Sequence, residues 1–336
     1  MLRPNHLPGL ALAALLMSSP AVAQAPGQAS AWNAVTCDRQ CLIGDLHKYM
    51  DALTHKDPKR APFARDVRFS ENDVMMPIGE GLWGSISGAS ATGQELADPS
   101  TGQAAWFGLV QEHGQPAYYA MRIKVEAGAI REVETVVHRQ TGLPAPFGDP
   151  AKYTHDAAFT EVLPAGERRP RERLRAVADS YFSTVELNDG QVFAPFDLDC
   201  ERTENGISTT KASAAATAAQ AASPAGNAAA IAQGCEAQFR LGIYRINKRV
   251  RERRYPLIDE ERGVVVATGF FDHANAFDSY QTTDGKTMKT ALKWPNSITL
   301  MEAFKIKDGK IYRVEAIFTY SPYFMHSPWA KPGADR

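Results

Sequence analysis

The stretches Lys124-Val125-Glu126-Ala127-Gly128-Ala129-Ile130-Arg131-Glu132-Val133-Glu134 and Lys305-Ile306-Lys307-Asp308-Gly309-Lys310-Ile311-Tyr312-Arg313-Val314-Glu315 are one pattern written twice. Each reads Lys, an aliphatic residue, two further residues, Gly, one residue, Ile, two residues, then Val-Glu. The apolar alternation with Gly at the turn is that of a β-hairpin. Upstream, Arg68-Phe69-Ser70-Glu71-Asn72 is matched in the same order by Glu201-Arg202-Thr203-Glu204-Asn205. Each of these turns follows a helical pattern. Leu42, Leu46, Tyr49, Met50 and Leu53 recur at three- and four-residue spacing, as do Leu174, Val177, Ala178, Tyr181, Phe182 and Val185. Further strands are expected at 105–112, 117–125, 130–139, 264–271, 297–307 and 311–319. An internal repeat takes precedence over other fold readings, and this one predicts an α+β chain. Each copy is a helix wrapped by a curved antiparallel sheet, a cone with an apolar pocket at its wide end.

The copies divide the chain. The opening MLRPNHLPG-LALAALLM-SSPAVAQA has the charged, apolar and small-residue regions of a signal peptide over 1–23. A flexible leader is expected over 24–36, a first cone domain over 37–142, a linker over 143–167 and a second cone domain over 168–330. The Ala-rich stretch 211–233, interrupted at Pro224, is expected to be an insert in the second domain. No later apolar run is long enough to span a bilayer, so the mature chain is expected to be secreted or periplasmic.

The 336 residues carry 37 Lys and Arg against 38 Asp and Glu. This balance argues against nucleic acid as a partner, because binding it needs a basic face. Cys37, Cys41, Cys200 and Cys235 are an even set in an exported chain, which favours disulfides, with three pairings open. A Cys200–Cys235 bond would close the base of the insert. The wide spacing of the second pair argues against zinc, and no metal or cofactor is expected. Gly-x-Ser-x-Gly, Walker and His-Glu-x-x-His motifs are absent from the sequence, and Gly79-Glu80-Gly81, followed by no helix-start phosphate signature, reads as a turn and not as a dinucleotide fingerprint.

Both halves resemble the nuclear transport factor 2-like superfamily, which includes scytalone dehydratase, ketosteroid isomerase and SnoaL-type cyclases. The repeated hairpin carries the likeness. Tyr49-Met50-Asp51-Ala52-Leu53, Gly79-Glu80-Gly81-Leu82-Trp83, Arg253-Arg254-Tyr255-Pro256, Asp259-Glu260-Glu261-Arg262-Gly263, Phe271-Asp272-His273 and Ser327-Pro328-Trp329 further resemble a tandem family of this fold known as a domain of unknown function. The resemblance covers about residues 40–330. It implies the fold more strongly than a reaction, since such folds serve dehydratases, isomerases, lyases and binding modules alike.

In an apolar cone, a carboxyl or His is partly desolvated and titrates toward neutrality, which suits cofactor-free proton transfer. His273, at a strand end, is the candidate base. Asp272 is expected to face the other side of that strand. Tyr255 and Arg254 are candidates to hold developing negative charge. Glu302 interrupts an otherwise apolar strand and is the assisting acid or base. Tyr181, Asp272, Glu315, Tyr323 and Trp83 are candidate substrate contacts, Glu315 having Glu134 as its counterpart in the first copy. The expected function is a lyase or isomerase acting on a small aromatic or cyclic hydroxylated compound. The alternative is a non-catalytic periplasmic protein that binds an apolar molecule or a protein. A homodimer is compatible with either.

Overall fold

The computed structural model describes residues 37–91, 93–140, 147–210, 233–274, 278–290 and 292–331. The expected signal peptide and leader, and nearly all of the Ala-rich insert, lie outside the described residues. No helix among the described residues is long and apolar enough to cross a membrane.

The fold is α+β, and the described part of each half is one long helix against one sheet. In the first half α1 (Arg39–Thr54) is capped by the Asp38 carboxylate, which accepts from the Cys41 amide at 2.9 Å. It ends just before Asp57-Pro58, where the proline ring disfavours helix in the preceding residue. Leu42, Leu46, Tyr49 and Leu53 bury their shared face. Seven strands follow: β1 (Phe63–Glu71), β2 (Val74–Met76), β3 (Ile86–Ala89), β4 (Gln94–Asp98), β5 (Gln103–Glu112), β6 (Gln115–Glu126) and β7 (Ala129–Arg139). A single-turn helix, α2 (Leu82–Ser85), precedes β3. The order is β2-β1-β7-β6-β5-β3, with β4 also paired to β5.

The second half repeats this plan with α3 (Arg171–Leu187), β8 (Phe196–Glu204), β9 (Ile207–Ser208), α4 (Cys235–Arg240), β10 (Arg249–Asp259) and β11 (Val264–His273). The small hairpin β12 (Ser279–Gln281) and β13 (Thr287–Lys289) comes next, then β14 (Asn296–Lys307) and β15 (Lys310–Pro322). Its order is β10-β11-β14-β15-β8-β9.

The repeat is structural at the level of single hydrogen bonds. β1 runs parallel to β7 and β8 parallel to β15, with Phe69 opposite Val133 and Arg202 opposite Val314. Beyond each first strand an asparagine enters the left-handed region, Asn72 at φ 49° and Asn205 at φ 43°. The Asn72 carboxamide accepts from the Val137 amide at 2.8 Å and donates to the Val137 carbonyl at 3.3 Å. Asn205 does the same to Phe318, at 2.9 and 3.0 Å. Both long hairpins turn through two consecutive left-handed residues, Ala127-Gly128 and Asp308-Gly309, the geometry that matches strand twist.

The sheets pack face to face. Phe107, Tyr118, Ala120 and Val136 meet Leu257, Val266, Met301 and Ile317 in a shared apolar layer. Arginines at the two helix starts clasp it with approximate two-fold symmetry. Arg39 donates to the Ala97 carbonyl at 2.8 Å and to Asp259 at 2.7 Å. Arg171 donates to the Ile258 carbonyl at 2.9 Å and to Asp98 at 2.5 Å. The C-terminal segment adds a strap: Trp329 lies under the Arg68 guanidinium, 4.2 Å from its ring centroid, and donates to Ser70 at 2.7 Å. The other face of each sheet packs on its own helix, giving two further cores. Disulfides join Cys37 to Cys41 and Cys200 to Cys235.

Candidate functional site

The β-pairing makes the two helix-facing cores comparable position by position. Met121 lies opposite Thr135, and Glu302 opposite Ala316, at equivalent points of the two repeated hairpins. Phe69 and Arg202 are equivalent by their pairing to Val133 and Val314. The first core therefore holds Phe69 and Met121 where the second holds Arg202 and Glu302, all of them buried. Other features are shared. Tyr49 on α1 meets Trp83 of α2 edge-on at 5.7 Å, and Tyr181 on α3 meets Phe239 of α4 edge-on at 5.5 Å.

Glu302 lies on β14 between Leu300 and Phe304, both core residues below α3. Alternation along the strand places it on that same face. Burial pushes its carboxyl up to about 8; the Arg202 charge and a hydrogen bond from the Tyr181 phenol oppose this without cancelling it. Its Oε2 makes no hydrogen bond to any described residue. Arg202 is fully buried. Its Nη1 donates to Gln238 at 3.2 Å, and its Nη2 donates to Glu204 and Tyr244. The guanidinium carbon lies 5.1 Å from the Phe239 ring centroid and 4.8 Å from that of Tyr244, both within cation–π range. Its Nε likewise has no partner among the described residues. Glu204 is the solvent-side member, its side chain 19% exposed against 1% for Arg202. The Cys200–Cys235 bond ties the start of α4, which carries Gln238 and Phe239, to the strand that carries Arg202.

The first core also holds charge, but its carboxylate is matched. Glu71 accepts from the Leu82 amide at 2.7 Å and from Arg139 at 3.0 Å. The Tyr49 and Tyr119 hydroxyls bond each other at 3.0 Å.

The structure brings Glu302 and Tyr181 together and places the other candidates elsewhere. His273 lies opposite Asn296, six residues along β14 from Glu302, or about 20 Å at strand spacing. Its Nδ1 meets Asn296 at 3.0 Å and its Nε2 meets Asn247 at 2.8 Å. Both contacted atoms are carboxamide oxygens, which accept, so a neutral ring donates to one of them. Burial lowers its pKa, which favours that neutral ring. Tyr255 is on β10, two strands from Glu302, and donates to Asp179 on α3 at 2.6 Å. Arg254 points into the layer between the sheets, where it grips Glu134 of the first half; Glu134 also accepts from Arg122 at 2.6 Å and is held near 2 by the two guanidiniums despite its burial. Asp272 is wholly buried and accepts from Arg251 at 3.0 Å and Ser297 at 2.6 Å. Glu315 lies between the halves, accepts from Tyr153, and is pushed up to about 7 by burial. Trp83 is in the first core, and Tyr323 is partly exposed beside Phe324.

Arg202, Glu204, Gln238 and Tyr244 escaped the sequence reading of the site. One signal was present for Arg202: the match of the two Glu-Asn turns sets a core phenylalanine against an arginine. Among the described residues, Cys37, Cys41 and Asp45 have ligand atoms near enough for a metal. The two sulfurs are joined to each other, so neither is a thiolate donor.

The family model described as "Domain of unknown function (DUF8021)" matches residues 36–137 and again 167–318. The chain belongs to this family. It carries the DUF8021 unit twice, and the two matched segments contain the two helix-and-sheet repeats. A search of curated proteins finds no match. Among solved structures, AclR, a putative hydroxylase from Streptomyces galilaeus, is 10% identical, with a TM-score of 0.26 over 31% of this chain and 82% of its own. An NTF2-like protein of unknown function from Cytophaga hutchinsonii is 10% identical, with a TM-score of 0.24 over 30% of this chain and 89% of its own. An NTF-2 like protein of unknown function from Burkholderia xenovorans is 11% identical, with a TM-score of 0.26 over 34% of this chain and 94% of its own.

Proposed function

We propose that this chain is an exported, cofactor-independent lyase or isomerase whose proton-transfer site is the helix-facing core of the second half, acting on a small cyclic or aromatic hydroxylated compound. The observation that carries the reading is the exchange of Phe69 and Met121 for Arg202 and Glu302 at equivalent positions. A buried carboxyl with no bonded cation destabilises a fold, so its presence in one copy alone marks that copy for chemistry. Titrating near 8, Glu302 is mostly protonated at neutral pH and suited to give a proton to a leaving hydroxyl. In its ionised form it takes one from carbon beside a carbonyl. Arg202 and Tyr181 stabilise the negative charge that develops. The first half acts as scaffold. The paired disulfides agree with an oxidising compartment outside the cytosol.

The test is a mass-spectrometric screen of lignin-type and steroid-type cyclic alcohols incubated with the protein and with Glu302→Gln. The reading expects a product of water loss, formaldehyde loss or isomerisation with the wild type, and at least ~100-fold slower formation with the variant. Equal turnover by the variant would overturn it. Ligands captured unchanged would instead favour a binding protein.

A further inference from the structure

We propose that the Cys37–Cys41 disulfide is a thiol–disulfide exchange site, at which thiols from outside the chain are oxidised. This goes beyond the reading of the second core and does not depend on it. The two disulfides differ in what they can do. Cys200 and Cys235 are each 1% exposed and stand 35 residues apart. Cys37 and Cys41 stand four residues apart. A cross-link stabilises a fold through the loop it closes, and so short a loop restrains the unfolded chain least. The short bond is also open to attack. Cys41 is exposed, whereas Cys37 is half-buried and packs against the first core. An incoming thiol therefore meets the Cys41 sulfur, and the shielded Cys37 sulfur is the one that leaves.

The surroundings suit that chemistry. Cys41 is in the first turn of α1, a helix of 16 residues, and the bond holds the Cys37 sulfur at the same turn. The positive end of the helix dipole stabilises a departing thiolate there. Asp45 follows one turn later on the same face. It is buried, and one of its carboxylate oxygens and the two sulfurs all lie within 4.8 Å of one another. The carboxylates beside the bond are engaged, which weakens their repulsion of a thiolate: Asp38 accepts from the Cys41 amide at 2.9 Å, and Asp45 from Lys48 Nζ at 2.8 Å. In the first step a substrate thiolate bonds to Cys41 Sγ as the Cys37–Cys41 bond breaks. Its electron pair goes to Cys37, which takes a proton from water. In the second step another substrate thiol loses its proton to water and attacks the substrate sulfur of this mixed disulfide. The substrate disulfide forms, and Cys41 leaves and is protonated. Two electrons pass from two substrate thiols to the cysteine pair. Oxidised glutathione, or another disulfide of an oxidising compartment, reverses the sequence and restores the bond. On closure the Asp45 carboxylate is within reach of the Cys37 thiol proton through one water.

The experiment follows opening of the bond at neutral pH by reduced glutathione, a monothiol, and by dithiothreitol, a dithiol. Free thiols are trapped with iodoacetamide and mapped by peptide mass spectrometry. The reference is an oxidised synthetic peptide of residues 36–43, too short to hold a helix. The folded chain should open at least about tenfold faster than the peptide with either thiol. Glutathione should be found on Cys41, with Cys200–Cys235 still closed. A rate no faster than that of the peptide would overturn the proposal, since the bond would then be no more than an accessible cross-link. Glutathione found on Cys37, or both disulfides opening together, would overturn it as well. Single variants add a second arm: the free Cys41 of Cys37→Ser should take up oxidised glutathione at least about tenfold faster than the free Cys37 of Cys41→Ser. Equal uptake by the two folded variants would overturn the assignment of the attacked sulfur; if either does not fold, the wild-type measurement decides alone. Glu302→Gln should exchange like the wild type, so the outcome leaves the proton-transfer reading to its own test.

Discussion

Replacing Asn205 by alanine tests whether the two halves are held by one repeated device. The Asn205 carboxamide supplies both hydrogen bonds to the Phe318 backbone, and the residue stands at φ 43°. Alanine leaves a buried N–H and a buried C=O unmet, at roughly 1–3 kcal/mol each. It also lacks the short polar side chain that makes the left-handed region tolerable for asparagine, for about 1 kcal/mol more. The expected loss is ~3–7 kcal/mol, to be read as a lowered midpoint in urea unfolding followed by tyrosine and tryptophan fluorescence. Glycine at the same position removes the two hydrogen bonds and tolerates the backbone, so Asn205→Gly should cost about 1 kcal/mol less than Asn205→Ala. Asn72→Ala should lose a similar amount, because its carboxamide binds Val137 in the same way. A loss within about 0.5 kcal/mol of zero for either alanine variant, the range of an ordinary surface change, would refute the reasoning.

Stability should fall as pH rises. Burial holds Glu302 near 8 and Glu315 near 7 when folded, against about 4.3 for an unperturbed glutamate. Between about pH 4.5 and 8 the folded chain thus holds protons that the unfolded chain releases, and that sign destabilises the fold with increasing pH. For Glu302 the effect is at most ~5 kcal/mol at 1.36 kcal/mol per pH unit, and Glu302→Gln should flatten that share of the slope in urea unfolding from about pH 5 to about pH 9. Replacing Cys200 and Cys235 by serine removes a cross-link spanning 35 residues, with an expected loss of roughly 3–4 kcal/mol in the same assay. Light scattering should find a monomer, since the apolar faces of both sheets are already buried against each other.

Much of the fold is legible in the sequence, because the long hairpins are long apolar strand runs and their turns demand left-handed residues. β10 is harder to see. Its Arg249–Asp259 stretch is rich in arginine and kinked at Glu252, which takes φ 52°. Those arginines are paired with Asp272, Glu186 and Glu134 from distant segments, a fact that no local pattern encodes. β3 and β4 are four and five residues long and contain or adjoin small residues, so neither forms a run that marks a strand. At the site, Glu302 is legible as a charge in an apolar strand and Tyr181 as a member of an apolar helical stripe. The surroundings of His273, Tyr255 and Arg254 are not legible. Asn247, Asn296, Asp179 and Glu134 reach them through tertiary folding, and these partners hold the three side chains away from Glu302. Gln238 and Tyr244 arrive beside Arg202 from beyond the insert, and proximity of that kind leaves no mark on sequence spacing.

The central claim is that the second core keeps a carboxyl uncharged at neutral pH while the equivalent position of the first core is a methionine. Carbon-detected NMR of the glutamate side-chain carboxyls, with the Glu302 signal assigned by its loss in Glu302→Gln, measures this directly. The account predicts a titration midpoint close to pH 8. A midpoint in the ordinary carboxylate range, about 4 to 5, would contradict it.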